Sequence, residues 1–245
     1  MVLPQFTFHL KNKMKRIFIL LFVWFGLQTQ AQFNLFGKDP IINMETFQKQ
    51  RVHWGYYLGF NSYDFKFDYK ENSADVLVDA PASFNVGLIG NLRLHEYVDL
   101  RLEPGLYYTQ RNLTFPGLEN PRDKLREVKS TYIHVPLLLK FSSLRLGNIR
   151  PYLVGGASVS YNLSSNFNAK DDNYEQRFRM NQLTYNYEVG FGIDIFLEWF
   201  IFSPSIRGVF SFQNELIPDN NPNSPWTGNI ESMKTRAVFI NFSFH

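Results

Sequence analysis

The stretch Arg236-Ala237-Val238-Phe239-Ile240-Asn241-Phe242-Ser243-Phe244 decides how this chain is read. Arg236, Val238, Ile240, Phe242 and Phe244 fall on one side, and Ala237, Phe239, Asn241, Ser243 and His245 on the other. Successive side chains of an extended strand point to opposite faces, so one face is apolar and the other mixed.

The same period of two recurs upstream. Phe84, Val86, Leu88, Leu92 and Leu94 oppose Asn85, Asn91 and Arg93 within 84–94. Val98, Leu100, Leu102, Leu106 and Tyr108 oppose Asp99, Arg101, Glu103 and Tyr107 within 98–109. Ile133, Val135, Leu137, Leu139 and Phe141 oppose Tyr132, His134 and Lys140 within 132–141. Tyr185, Tyr187, Val189, Phe191, Ile193 and Ile195 oppose Asn186, Glu188 and Asp194 within 185–195. Three further strands are expected at about 52–67, 150–162 and 199–212; the first and last alternate less cleanly.

Eight strands result, and the connections between them alternate in length. About fifteen residues separate the first pair, and about twenty separate the third from the fourth, the fifth from the sixth and the seventh from the eighth. The others are tight: His95-Glu96-Tyr97, the surroundings of Arg145-Leu146-Gly147-Asn148, and 196–198. This predicts an all-β fold: an eight-stranded antiparallel up-and-down transmembrane β-barrel with short periplasmic turns and long extracellular loops. In lipid a sheet pairs every backbone group only by closing on itself. The competing reading is a water-soluble barrel or sandwich with the apolar face inside. Aromatic residues at strand ends (Trp54, Tyr56, Tyr97, Tyr108, Tyr161, Tyr185, Trp199) and the aromatic-ended final strand favour the membrane.

Composition narrows the function. Of 245 residues 44% are hydrophobic and 19% charged, which excludes a disordered chain. The formal charge of +3 is too small and dispersed to argue for nucleic acid. With no Cys there is no disulfide scaffold and no thiolate metal or redox site. Lys11, Lys13, Lys15 and Arg16 precede the apolar run 17–27, and small and polar residues follow to Ala31. That is the order of a signal peptide, expected at 1–31, with Met14 as an alternative start. A periplasmic tail is expected over 32–50 and the barrel over 51–245.

Parity places Arg93, Asp99, Arg101, Glu103, Lys140, Glu188, Asp194 and Arg207 inside, as a charge network filling a narrow lumen. The same charges could instead line an ion path. No catalytic, metal-binding or cofactor-binding site is expected: the five His are dispersed, no Ser–His pairing is evident, and Asp171-Asp172-Asn173 lacks the spacing of a calcium loop. Gly190-Phe191-Gly192 sits inside a strand, where it reads as close packing. The segment Pro218-Asp219-Asn220-Asn221-Pro222-Asn223-Ser224-Pro225-Trp226 is stiff and carries an amphipathic anchor. Pro218, Asp219, Asn221, Pro222, Pro225 and Trp226 make it either a partner-binding loop or a loop packed on the barrel rim.

Five segments carry a resemblance: 53–59 (HWGYYLG), 103–108 (EPGLYY), 132–140 (YIHVPLLLK), 190–194 (GFGID) and the 218–226 loop. With Arg51-Val52-His53-Trp54, they resemble the PorT/SprT outer-membrane proteins of the Bacteroidetes type IX secretion and gliding apparatus. The resemblance spans the mature chain. It implies a non-enzymatic outer-membrane component needed for cargo export and gliding, without cofactor, in contact with outer-membrane lipid and other secretion proteins. An eight-stranded pore is too narrow to pass a folded cargo, so the implied role is accessory or in assembly. A generic adhesion or envelope-integrity barrel, or a small-solute channel, is the alternative.

Overall fold

The computed structural model describes residues 42–45, 50–71 and 75–245. The expected signal peptide, the alternative start at Met14 and most of the tail lie outside the described residues. Strands β1 (Val52–Tyr69), β3 (Ser83–His95), β4 (Val98–Leu102), β5 (Gly105–Thr114), β6 (Leu125–Ser142), β7 (Ile149–Asn162), β8 (Leu183–Phe196), β9 (Ile201–Ser211) and β10 (Ile230–Phe244) form a closed antiparallel ring. A short strand, β2 (Leu77–Asp79), adds to the edge of β5. The ring has eight staves because β4 and β5 are one stave, interrupted at Glu103 and Pro104.

Closure is made by β1 pairing with β10, from Tyr56↔Phe244 up to Tyr69↔Ile230, and with β3, from Val52↔Leu92 to Asn61↔Ser83. No free edge remains in the ring, as lipid demands. Pro104, which has no N–H to offer, still accepts from Leu88 N–H at 2.9 Å, so the break costs little pairing.

The observed parity follows the predicted faces. On β3 Asn85, Ile89 and Asn91 are buried while Phe84, Val86 and Leu88 are exposed; on β8 Glu188 and Asp194 are buried while Val189 and Phe191 are exposed. Outward faces are apolar or aromatic until the long-loop end, where charge first enters as the pairs Asp64–Arg236 (2.6 Å) and Glu127–Lys129 (3.0 Å). At the short-turn end Trp54 and Trp199 are 75% and 81% exposed, an arrangement suited to the headgroup boundary. Among the described residues no helix is long and apolar enough to cross a membrane; strands form the apolar band instead.

Three expectations are corrected. The third-to-fourth connection is not about twenty residues but 115–124, because β6 begins at Leu125 instead of near 132. Strand β10 likewise begins at Ile230, and β5 runs on to Thr114. Above the bilayer the outward positions turn polar, as at Glu127 and Lys129, so the apolar alternation fades while hydrogen-bonded pairing continues.

A described fragment of the tail returns to the barrel. Asn43 N–H donates to Asn148 Oδ1 (3.0 Å), its Nδ2 donates to the Phe196 carbonyl (3.1 Å), and Arg145 Nη2 donates to the Asn43 carbonyl (2.6 Å). This fragment is therefore docked on the turn between β6 and β7 and on the end of β8.

Candidate functional site

The lumen is filled in layers, and inward glycines make the filling possible. Tyr57 lies across the interior over Gly87 and Gly105, where a Cβ would collide with its ring or hydroxyl. Tyr152 lies over Gly192 in the same way. Gly190-Phe191-Gly192 is thus a packing feature, with Phe191 on the outward face.

Nearest the short-turn mouth, Asp194 accepts from Lys140 Nζ at 2.7 Å, from Arg150 Nη2 at 2.9 Å and from Ser203 Oγ at 2.8 Å. Asp99 stands opposite Arg93 across β4 and β3. Next comes a continuous ionic layer. Glu103 accepts from Arg101 Nη1 (3.2 Å) and Arg207 Nη1 (2.8 Å), and Arg207 Nε lies 3.0 Å from Glu188 Oε2. Of the eight residues expected in the lumen, Arg93 is partly exposed and the other seven are buried.

Sequence reasoning missed three members. Arg150 is the second residue of β7, a strand whose faces the pattern left unassigned. Arg111 lies beyond the expected end of its strand at 109. His134 was on the inward face, yet its chemistry was not foreseen: Nδ1 is 2.8 Å from Ser160 Oγ, and Nε2 is 2.8 Å from Glu188 Oε1. The expectation of no Ser–His pair is corrected; β6 and β7 bring the two together through the register His134↔Ser160. The Glu188 carboxylate can only accept, so Nε2 is the ring nitrogen that donates to it. The group is sealed on both sides: His134 is 0% exposed and Ser160 4%. Buried away from solvent, the line is a hydrogen-bonded contact joining β6, β7 and β8 across the lumen.

Above it an aromatic layer closes the cross-section. Tyr63 stacks on Tyr132 with ring centres 5.4 Å apart, and Tyr107 meets Phe239 at 4.8 Å. Asn61, Asn85 and Asn241 link side chains at 3.3 and 2.8 Å beside it. Arg111, fully buried, lies 4.0 Å over Phe65 and donates to Tyr132 Oη (2.7 Å) and Ser130 Oγ (3.3 Å). Burying a guanidinium is tolerable where donors find oxygens and the plane finds an aromatic face.

The long-loop end is stoppered by an apolar core built partly from loops: Phe65, Leu113 and Met233 from strands pack with Phe178, Leu216 and Trp226. Trp226 donates Nε1–H to the Asp123 carbonyl (2.8 Å), meets Tyr174 edge-to-face at 5.0 Å and carries Arg126 at 4.9 Å from its ring centre. Of the residues expected to form a partner-binding loop, Asp219 and Trp226 are buried in this stopper, whereas Pro218, Asn221, Pro222 and Pro225 are exposed. Asp219 accepts from Asn173 Nδ2 (2.8 Å) and Ser224 Oγ (2.5 Å).

Asp172 ties two loops together. It accepts from Tyr174 N–H at 3.0 Å and Asn220 N–H at 2.9 Å. Loss of solvent would push its carboxyl up, but the Asn220 and Tyr174 amides outweigh that and hold it below the ordinary aspartate range. Burial pushes the Glu215 carboxyl up; it sits under the same stopper and accepts from Thr235 N–H (2.9 Å) and Oγ1 (2.8 Å). Among the described residues no group of three or more His, Cys, Asp or Glu is placed to hold a metal.

Comparison with known proteins completes the description. The family profile described as "Outer membrane protein beta-barrel domain" matches residues 7–216. No curated protein matches the chain. Among solved structures, Neisserial surface protein A is 6% identical with a TM-score of 0.46, covering 79% of this chain and 98% of its own. OprG of Pseudomonas aeruginosa is 14% identical with a TM-score of 0.44, covering 79% and 93%. Ail of Yersinia pestis is 11% identical with a TM-score of 0.37, covering 80% and 98%.

Proposed function

The chain belongs to the family of outer-membrane proteins with a β-barrel domain, and from that premise we propose that it serves type IX protein secretion as an accessory or assembly component, not as the conduit. The short turns then face the periplasm and the stoppered loops face outward. The observation that carries the accessory role is the lumen, filled by an ionic layer, an aromatic layer and an apolar stopper in turn. A barrel with no open interior acts through its faces: outer loops, periplasmic mouth and tail. The attribution to type IX secretion and gliding is supported by the resemblance of 53–59, 103–108, 132–140 and 218–226 to PorT/SprT.

In this reading residues 1–31 are removed on export, 32–50 form the periplasmic tail, and 51–245 form the barrel. The protein is non-enzymatic and needs no cofactor. Its partners are outer-membrane lipid and other secretion-system proteins, met by the exposed Pro218, Asn221, Pro222 and Pro225 or by the tail.

Deleting the gene tests the proposal. Cargo secretion and surface gliding are expected to fail and to return with a plasmid-borne copy. Unchanged secretion in the deletion strain rejects the assignment and leaves an adhesion or envelope-integrity barrel as the reading.

A further inference from the structure

On the outward face of β1 and β10 the apolar run stops at Phe60 and Val238, and charged residues follow toward the long loops. Arg236 is engaged at once: its Nε and Nη2 both lie 2.6 Å from Asp64 Oδ2, and Asp64 Oδ1 accepts from Phe65 N–H at 2.8 Å. One rung further Lys66 stands directly opposite Lys234. Like charges in that position repel, so the rung weakens the seam that closes the ring.

The neighbouring carboxylate does not resolve this repulsion. Asp68, diagonal to Lys234, lies 3.5 Å from Lys66 Nζ through Oδ1, while its Oδ2 accepts from Ser232 Oγ at 2.7 Å. Lys234 makes no ion pair of its own among the described residues. By contrast Lys129, on the outward face of β6, lies 3.0 Å from Glu127.

Beside the lysine rung the outward face remains aromatic. Phe210 is the partner of Arg236 in the ladder of β9 with β10, and Tyr187 packs against Phe210 and Phe212 at 5.2 and 5.0 Å. Tyr187 and Phe212 are exposed. A cationic rung next to aromatic rings, on a face that continues the lipid-covered band, complements an amphiphile: acyl chain against the rings, anionic headgroup between the ammonium groups.

We propose that Lys66 and Lys234 together seat one phosphate of a phosphorylated glycolipid of the outer leaflet. The phosphate accepts from both Nζ groups and turns the repulsion across the seam of β1 and β10 into a bridge. The inference rests on the long loops facing outward and stands apart from the secretion assignment, on which gene deletion reports alone.

Lipid A is the probe. The purified full-length mature protein, folded in a neutral detergent with EDTA, is titrated with bisphosphorylated lipid A, with the same lipid stripped of its phosphates and with phosphatidylglycerol, and native mass spectrometry counts the bound lipid. Bisphosphorylated lipid A is expected to be retained and the stripped lipid lost. Lys66→Gln/Lys234→Gln is expected to weaken retention about tenfold, the size of one charge-assisted hydrogen bond, and Lys129→Gln to leave it unchanged. Without lipid the double variant should unfold at the parent's temperature or above it, because the repulsion is gone; a lower midpoint would mean that the lysines already hold their counter-charge, and overturns the proposal. If the double variant fails to fold, judged by heat-dependent gel mobility, Lys234→Gln alone, which keeps the contact of Lys66 with Asp68, decides. Equal affinity in parent and variant, or an equal loss in Lys129→Gln, also overturns the proposal, and phosphatidylglycerol binding as tightly as lipid A overturns the assignment to an outer-leaflet glycolipid.

Discussion

His134 Nε2 lies 2.8 Å from Glu188 Oε1, while the opposite ring nitrogen lies 2.8 Å from Ser160 Oγ. Residue types of a hydrolytic triad are thus lined up in the lumen, but the Tyr107 ring is T-shaped against His134 at 4.9 Å and Phe239 packs at 5.6 Å. The expected outcome is inertness. A fluorophosphonate probe should leave Ser160 unlabelled in the folded barrel, and Ser160→Ala should keep secretion while costing about 1 kcal/mol of stability through the lost hydrogen bond. Stoichiometric labelling of Ser160 would show that the interior is reachable and return the enzyme reading.

Tyr57 depends on the absence of a side chain at Gly105. A Cβ there would meet the Tyr57 hydroxyl, which donates to the Glu103 carbonyl at 3.2 Å and is linked to Tyr107 Oη at 3.1 Å. Gly105→Ala should therefore destabilise the barrel by about 1–3 kcal/mol, as overpacking does. Urea unfolding in lipid vesicles measures it, and the companion Tyr57→Phe/Gly105→Ala should recover part of the loss. An undiminished stability in Gly105→Ala would show that the interior is looser than described.

Trp226 anchors the outer stopper. Removing it deletes the contacts with Tyr174 and Arg126 and the hydrogen bond to Asp123. Trp226→Ala should cost about 3–5 kcal/mol of local stability, as large-to-small core substitutions do. Hydrogen exchange should rise across 163–182 and 212–229 and stay unchanged in β7 and β8. By contrast Pro222→Ala, at an exposed position, should leave exchange unaltered and reveal any partner contact through lost co-purification alone.

The Asp172 bridge predicts a pH effect with a definite sign. Its folded pKa is depressed, so its stabilisation is present above the unfolded carboxylate value and is lost as pH falls through the folded one. Amide exchange at Tyr174 and Asn220, corrected for the intrinsic pH dependence, should accelerate on acidification. Asp172→Asn should remove that step. An identical acid profile in the variant would assign the transition to other groups.

The membrane band was legible because burial on opposite faces imposes a period of two. Lipid outside and charge inside left the same signature on Phe84–Leu94 and Tyr185–Ile195. Where Glu127, Lys129 and Lys234 replace outward apolar residues, the strands continue on backbone pairing alone, and the pattern no longer reports them. Lumen membership was readable from parity, but partners were not: His134 meets Ser160 and Glu188 only through the registers of β6 with β7 and β7 with β8. The 218–226 segment showed its stiffness and its anchor. Which side the tryptophan would face depends on Tyr174 and Arg126, far away in the chain, and no local signal carries that.

The account rests on an interior closed to ions. Planar-bilayer recording of the purified, folded protein tests it most directly. The expected trace is a quiet baseline, with no stable unitary steps at either polarity; steady, ion-selective conductance steps that persist with the outer loops intact would contradict it.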